Sequence, residues 1–182
     1  MADPVAGWKS LLSVLKPGGV MSIGLYSTIA RAMVRDAWED IQKGGYESDS
    51  DGIRKFREDV FLNPGSGKYD ILATLADFYT LSNTRDFLFH VQETTYTIPE
   101  LKEILNDLGL EFLGFHRLHP TIVGFFGQTY PDDPNMLNLD NWNDLEQRIP
   151  KAFLGMYNII CKKAGEPLNA TVQKFRETSL LS

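Results

Sequence analysis

The stretch WKSLLSVLKPGGVMSIGLY at residues 8–26 decides the fold. Its first half repeats apolar side chains at helical spacing, which predicts a helix with one buried face: Trp8, Leu11, Leu12 and Leu15. Pro17-Gly18-Gly19 then ends the helix with a turn. Residues 20–26 form a short apolar run of the kind that is buried on both faces in an α/β sheet. The sequence therefore predicts half of an α/β crossover unit.

Composition excludes several classes of function. The 182 residues include 18 basic and 24 acidic side chains, which gives a formal charge of -6 at pH 7. Binding to a nucleic-acid backbone requires clustered Lys and Arg, so nucleic acid is a disfavoured partner. Neither a secretory signal nor an apolar run of about 18 residues occurs, which predicts a cytoplasmic protein with no membrane partner. The single Cys161 excludes an internal disulfide and is expected to be an inert core thiol.

The middle of the chain predicts a mostly helical insertion over residues 28–96. Thr28 is expected to cap a helix whose apolar face runs to Ile41. Further helices are expected at residues 53–60 and at about residues 70–80.

Three aromatic residues on amphipathic faces are expected in the core: Trp8, Trp38 and Trp142.

The second half of the chain carries stronger local signals. Thr97-Ile98-Pro99-Glu100 matches a capping box, and Gly109 is expected to end that helix in a left-handed conformation. Strands are expected at residues 110–118 and 153–163, with a helix near residues 141–148 between them. Together with the first strand these make three, fewer than the roughly five to seven strands of a complete doubly wound sheet. The predicted fold class is therefore α/β with an incomplete sheet.

Several of these segments, in this order, resemble the class I S-adenosylmethionine-dependent methyltransferases. The LKPGG turn at residues 15–19 resembles the turn into the family's fifth strand, residues 97–115 resemble the helix and sixth strand that follow, and residues 153–163 resemble its antiparallel closing strand. Shorter matches are similar to a bacterial subgroup in which this domain often follows tetratricopeptide repeats: residues 23–27, 85–93 and 156–157. The resemblance implies an incomplete Rossmann-like methyltransferase fold over residues 1–164, followed by a tail at residues 165–182.

The resemblance also implies S-adenosylmethionine as the cofactor of the full-length relatives. In that family a glycine-rich E/D-x-G-x-G turn approaches the methionine part of the cofactor, and a later acidic residue accepts its ribose hydroxyls. This motif does not occur in the 182 residues, so we expect no cofactor-binding residue in this chain. The expected function is the C-terminal, substrate-side part of a methyltransferase, inactive alone, that begins at an internal methionine of a longer protein. The implied methyl acceptor is a small molecule or a protein.

Six residues are candidates for the substrate pocket. Tyr26 ends the first strand at its carboxyl edge, where open α/β sheets place their ligands, and Arg31 follows about one helical turn later. Arg85 precedes the segment His90-Val91-Gln92-Glu93, whose imidazole and carboxylate suit a general base or a group that holds a substrate amine or hydroxyl. The structural alternatives are an ion pair between Arg85 and Asp86 and a hydrogen bond of His90 within the insertion. No metal site is expected, and the pocket candidates are Tyr26, Arg31, Arg85, His90, Gln92 and Glu93.

A second hypothesis comes from a different class of protein: a non-catalytic interaction or oligomerisation module derived from the same fold. If residues 20–26 have lost a neighbouring strand, their long apolar edge is open to pairing with another chain. The expected partner is then a second copy of the chain, in a homodimer, or a protein that supplies the missing strands.

Overall fold

The chain divides into two compact units. The computed structural model describes residues 4–62, 69, 72–89 and 93–170. Unit 1 comprises Met1–Ala30 and Thr94–Ser182, and unit 2 comprises Arg31–Glu93. The helices, numbered along the chain, are α1 Pro4–Val14, α2 Ala32–Gly44, α3 Ser50–Leu62, α4 Leu81–Thr84, α5 Ile98–Asp107, α6 Pro120–Thr129 and α7 Leu139–Arg148. The strands are β1 Val20–Ser27, β2 Thr95–Tyr96, β3 Leu110–Phe115 and β4 Tyr157–Lys163.

The sheet of unit 1 is mixed, with the strand order β2-β1-β4-β3. Strand β1 is parallel to β2, with Tyr26 opposite Thr95 and Ser27 opposite Tyr96. Strand β4 is antiparallel to both β1 and β3, so β1 and β3 run in the same direction. The α/β class and the antiparallel last strand are confirmed. The predicted number of three strands is wrong, because β2 is a fourth strand among the described residues.

One pleat face of β1 is buried and the other is exposed. Successive side chains of a strand point to opposite faces. Met21 and Ile23 are buried in the core of unit 1, whereas Ser22 and Gly24 are exposed. The prediction that β1 is covered on both faces is therefore wrong for the described residues. The same core contains residues of three helices, which pack on the buried face: Trp8 of α1, Leu101 of α5 and Trp142 of α7.

Helix α6 was missed because its two glycines lower the intrinsic helix propensity of the segment. Its start is set by Pro120 at the first position and by His119, whose Nδ1 accepts a hydrogen bond from the Thr121 N–H at 3.3 Å. Phe126 anchors the helix in the core. Among the described residues, neither α6 nor any other helix has the length and apolar character that a membrane crossing requires.

Helix α5 begins with the predicted capping box. The Thr97 Oγ1 accepts a hydrogen bond from the Glu100 N–H at 3.4 Å, and the Glu100 Oε2 accepts one from the Thr97 N–H at 2.7 Å. The hydrogen bond from the Thr97 N–H has the largest effect on the pKa of Glu100 and lowers it. The hydrogen bond from the Thr97 hydroxyl lowers this pKa further. After the helix, Gly109 has φ +63°, in the left-handed region. Both local predictions are confirmed.

The first two helices of unit 2 differ from their predicted bounds. Helix α2 begins at Ala32, and the predicted cap at Thr28 is wrong because the Thr28 hydroxyl donates to Thr95 Oγ1 at 3.0 Å, within unit 1. Helix α3 begins earlier than predicted because Asp49 caps it. The Asp49 Oδ1 accepts hydrogen bonds from the N–H groups of the next turn, including that of Gly52 at 2.8 Å.

The helix predicted at about residues 70–80 is wrong. The described part of this segment contains two 3-10 turns, Leu72–Thr74 and Ala76–Phe78, with Leu75 between them in an extended conformation. Each turn is closed by a hydrogen bond to the third residue back, including that from the Phe78 N–H to the Leu75 carbonyl at 3.0 Å. The described apolar residues whose spacing suggested one helix therefore lie in two short turns and between them.

Two of the three predicted core tryptophans are confirmed, since Trp8 and Trp142 are buried, and so is the core position of Cys161. Burial raises the pKa of the Cys161 thiol to about 11, which disfavours the reactive thiolate. The prediction for Trp38 is wrong: it is 37% exposed. It follows Ala37 on α2, and neighbouring residues of a helix face different directions. The buried face of α2 is formed instead by Val34, Ala37 and Ile41.

Replacing Thr97 with alanine tests the capping box. The variant loses the acceptor for the Glu100 N–H, so we expect the free energy of unfolding to fall by about 1 kcal/mol, the usual effect of removing an N-cap side chain. Urea unfolding followed by circular dichroism measures this change. The matched control, Thr121→Ala on the exposed first turn of α6, should change stability by less than about 0.5 kcal/mol. Equal stabilities of Thr97→Ala and the wild type would contradict the prediction.

Candidate functional site

A carboxyl group with no exposed surface, that of Glu146 on α7, lies in unit 1 at the end of β1. Its Oε1 accepts a hydrogen bond from the Ser27 hydroxyl at 2.5 Å, and its Oε2 accepts one from the Tyr157 hydroxyl at 2.5 Å. Ser27 is the last residue of β1 and Tyr157 is the first residue of β4. The carboxyl therefore joins one helix to two neighbouring strands.

The Ser27 hydroxyl also holds the turn that follows β1. Its oxygen accepts hydrogen bonds from the N–H groups of Ile29 at 3.1 Å and Ala30 at 3.0 Å. Such contacts between a serine and the backbone just after it stabilise turns. A further hydrogen bond holds this turn: the Thr28 N–H donates to the Tyr96 carbonyl at 2.9 Å. The backbone after β1 is therefore fixed by side chains and by its neighbour β2.

Burial controls the ionisation of this cluster. Burial raises the pKa of Glu146, and the hydrogen bonds from Ser27 and Tyr157 oppose that effect only in part. Burial also raises the pKa of Tyr157, and the nearby Glu146 carboxylate raises it further, so the tyrosine stays protonated and donates. Strongly perturbed ionisable groups are common at functional sites and also occur in structural networks. Because Ser27 and Glu146 are buried, the cluster holds the turn in position and does not itself face a ligand.

Glu146 was missed by sequence reasoning, although one signal was available. Charged residues are rarely buried without a partner, so an acidic residue on an apolar helix face marks a buried polar contact. The buried face of α7 carries such a break in its pattern: Leu139, Trp142, Leu145 and Glu146.

Two of the predicted pocket residues, Arg31 and Glu93, meet within unit 2. The Arg31 Nη2 lies 2.7 Å from the Glu93 Oε1, and the two side chains are only 10% and 16% exposed. The guanidinium also lies 4.9 Å from the centre of the Phe87 ring. Burial raises the pKa of Glu93, and the positive charge of Arg31 opposes that effect. In this arrangement the guanidinium donates to the Glu93 carboxylate through Nη2.

Two of the other four candidates, Tyr26 and Arg85, lie among the described residues. Tyr26 lies in unit 1, half-buried on β1 opposite Thr95. Arg85 lies in unit 2, where its Nε donates to the Ser48 carbonyl at 2.7 Å. His90 and Gln92 lie outside the described residues. The structure therefore brings together Arg31 and Glu93 and places Tyr26 beside the turn that Ser27 holds.

On the exposed face of β1, Ser22 lies beside His116, the residue that follows β3. The Ser22 Oγ lies 3.0 Å from the His116 Nε2, and burial together with the nearby Arg117 lowers the pKa of His116. A nucleophile and its base need a third group that orients the base. No carboxylate of the described residues contacts His116, so this pair is not assigned a catalytic role. The described residues also hold no group of three His, Cys, Asp or Glu side chains placed to bind a metal ion.

Comparison with known proteins identifies a similar chain but no family. No protein-family model matches this sequence. The chain is 32% identical over 126 residues to the "Uncharacterized protein syc1184_c" of Synechococcus sp. (strain ATCC 27144 / PCC 6301 / SAUG 1402/1). The similarity covers 63% of this chain and 29% of that relative. The chain therefore spans less than a third of the length of this relative.

Replacing Glu146 with glutamine tests the raised pKa of the buried carboxyl. An acid whose pKa is raised by folding stabilises the fold below its unfolded pKa, about 4.3 for Glu, and this contribution is lost as the pH rises through the folded pKa. The stability of the wild type relative to Glu146→Gln should therefore fall between about pH 4 and about pH 8.

Urea unfolding at the two pH values measures that difference. Glu103→Gln, on the exposed face of α5, is the matched control, and its difference from the wild type should stay nearly constant. If Glu146→Gln differs from the wild type by the same amount at both pH values, the assignment of a raised pKa is wrong.

Proposed function

We propose that this chain is the C-terminal, substrate-side part of an S-adenosylmethionine-dependent methyltransferase and is inactive by itself. The observation that carries the proposal is the direction of the strands. β1 and β3, each preceded by a helix, run in parallel, and the last strand β4 runs antiparallel to both. These are the directions that the resemblance requires of the family's fifth, sixth and closing strands.

The exposed face of β1 gives the proposal further support. Sheets of the doubly wound type are covered by helices on both faces. In the described part of unit 1, helices α1, α5 and α7 share a core with Met21, and the opposite face leaves Ser22 and Gly24 exposed. A domain of which one helical layer is encoded elsewhere in a longer protein would have this arrangement.

The residues present do not fit the cofactor. The E/D-x-G-x-G turn that would approach the methionine part of S-adenosylmethionine does not occur in the sequence, and the buried Glu146 is already bound to two hydroxyls. The proposed contribution of this chain is therefore the acceptor side, a small molecule or a protein being the acceptor. Methyl transfer depends chiefly on orientation of the acceptor and on exclusion of water. Glu146 then acts as a positioning residue for the turn after β1, and Tyr26 is the candidate that lines the pocket.

Cofactor binding is expected to require a glycine-rich turn that the 182 residues do not contain. Isothermal titration of S-adenosylmethionine into the 182-residue chain should give no heat of binding, with S-adenosylhomocysteine as the matched ligand and ATP as the control. The product of an in-frame continuation upstream of the Met1 codon should bind at micromolar concentration, because it would supply the glycine-rich turn. Micromolar binding by the 182-residue chain would overturn its assignment as the acceptor side alone. An in-frame continuation without that turn would overturn the methyltransferase assignment.

A second candidate function, an oligomerisation module, is favoured by the edge of β1. Strand β2 pairs only with Tyr26 and Ser27, so residues 20–25 have no strand on that side among the described residues. This segment, VMSIGL, contains no charge and no proline. The opposite edge strand, β3, carries Glu111 and an irregularity between Phe112 and Gly114, and charges and bulges both discourage pairing between sheets. The edge of β1 is therefore the one open to a second copy of the chain.

A lysine at Ser22 tests this second candidate, because a charged side chain on an edge strand blocks pairing. Light scattering after size-exclusion chromatography, over a concentration series, should show a dimer for the wild type and a monomer for Ser22→Lys. The matched control, Ser13→Lys on the exposed face of α1, should remain a dimer. A wild type that is monomeric at every concentration would contradict the oligomerisation function, and so would two variants that behave alike. Far-ultraviolet circular dichroism checks that both variants stay folded.

A further inference from the structure

Unit 2 has a hydrophobic core of its own. Among the described residues, every buried member of this core lies between residues 31 and 93, and every buried member of the core of unit 1 lies outside that range. Phe56 on α3 is buried in the unit 2 core. Its ring contacts those of Tyr46, Tyr69 and Phe89 at centroid distances of 5.4, 5.9 and 6.1 Å. These rings come from three separate segments, so the packing joins described parts of the unit that lie far apart in the sequence.

The two ends of unit 2 are joined by an ion pair. Arg31 is the first residue of the unit and Glu93 the last, and their side chains meet at 2.7 Å. Because both side chains are largely buried, water and salt screen this contact less than they screen an exposed pair. The unit is thus closed at the point where the chain enters and leaves it.

Unit 1 has its own contacts between the segment that leads into residues 31–93 and the segment that leads out of them. Ser27 lies opposite Tyr96 in the parallel pair of β1 and β2, and the Thr28 hydroxyl donates to Thr95 Oγ1 at 3.0 Å. The segments that lead into and out of residues 31–93 are therefore bonded to each other within unit 1. None of these bonds uses a residue of unit 2.

From these separate cores and separate closures we infer that residues 31–93 unfold and refold as one cooperative unit while the sheet of unit 1 stays folded. A small domain buries a smaller fraction of its surface than a large one, so unit 2 is the less stable of the two. Segments of low local stability are the ones from which ligand-gating elements are drawn. The inference does not rest on the proposed methyltransferase function and holds for either candidate function.

Native-state hydrogen exchange of the full chain, read by mass spectrometry, tests this inference with two matched core variants. Ile53 in unit 2 and Ile159 in unit 1 are both fully buried. Ile53→Val should speed exchange about 2- to 10-fold in peptides from residues 31–93 and leave β1 and β4 unchanged. Ile159→Val should speed exchange in β1 and β4 and leave residues 31–93 unchanged.

The ion pair supplies a third variant for the same measurement. Glu93→Gln removes the negative charge that Arg31 contacts, so exchange should become faster throughout residues 31–93 and remain unchanged in α5 and α7. If either core variant speeds exchange in both units to the same degree, the chain opens as a whole and the inference is wrong. Exchange without protection across residues 31–93 of the wild type would also overturn it, because no cooperative unit would then exist.

Discussion

The hydrogen-bonded carboxyl of Glu146 is the contact on which the end of the sheet in unit 1 depends. Moving a carboxyl out of water is unfavourable unless hydrogen bonds compensate, and here two hydroxyls at 2.5 Å do so. Loss of either hydroxyl would leave a fully buried acid with a single partner. Helix α7, the end of β1 and the start of β4 are therefore coupled, since movement of one leaves a buried polar group unsatisfied in another.

The same coupling specifies the path of the chain after β1. A serine hydroxyl offers one donor and two acceptor positions, and Ser27 uses all three: it donates to Glu146 and accepts from the N–H groups of Ile29 and Ala30. The direction of the backbone at this point thus depends on a side chain 119 residues away in the sequence. A ligand site at this strand end would have a rigid base, and its specificity would come from neighbours such as Tyr26.

Features that depend on nearby residues could be predicted from the sequence, and features that depend on distant ones could not. The turn before β1, the capping box at Thr97 and the left-handed Gly109 are each decided within about four residues. Strand β2 was missed because a two-residue pairing with the end of β1 produces no periodic pattern. The exposed face of β1 was missed for a related reason: an apolar run identifies a strand, but the layer that covers it is set by helices elsewhere in the chain.

The ionisable residues show the same limit most clearly. Arg31 and Glu93 have the chemistry of substrate-binding groups, yet a sequence separation of 62 conceals that they bind each other. Glu146 interrupts an apolar helix face, which signals a buried polar contact, but nothing local identifies the two hydroxyls that provide it. The partner, and not the residue type, therefore decides what each carboxyl does. A carboxylate paired with a guanidinium closes the ends of unit 2, whereas the carboxyl bound by two hydroxyls holds the turn at the carboxyl end of β1. Under the proposed function, Glu146 is the carboxyl that positions the site, because open α/β sheets bind their ligands at such strand ends.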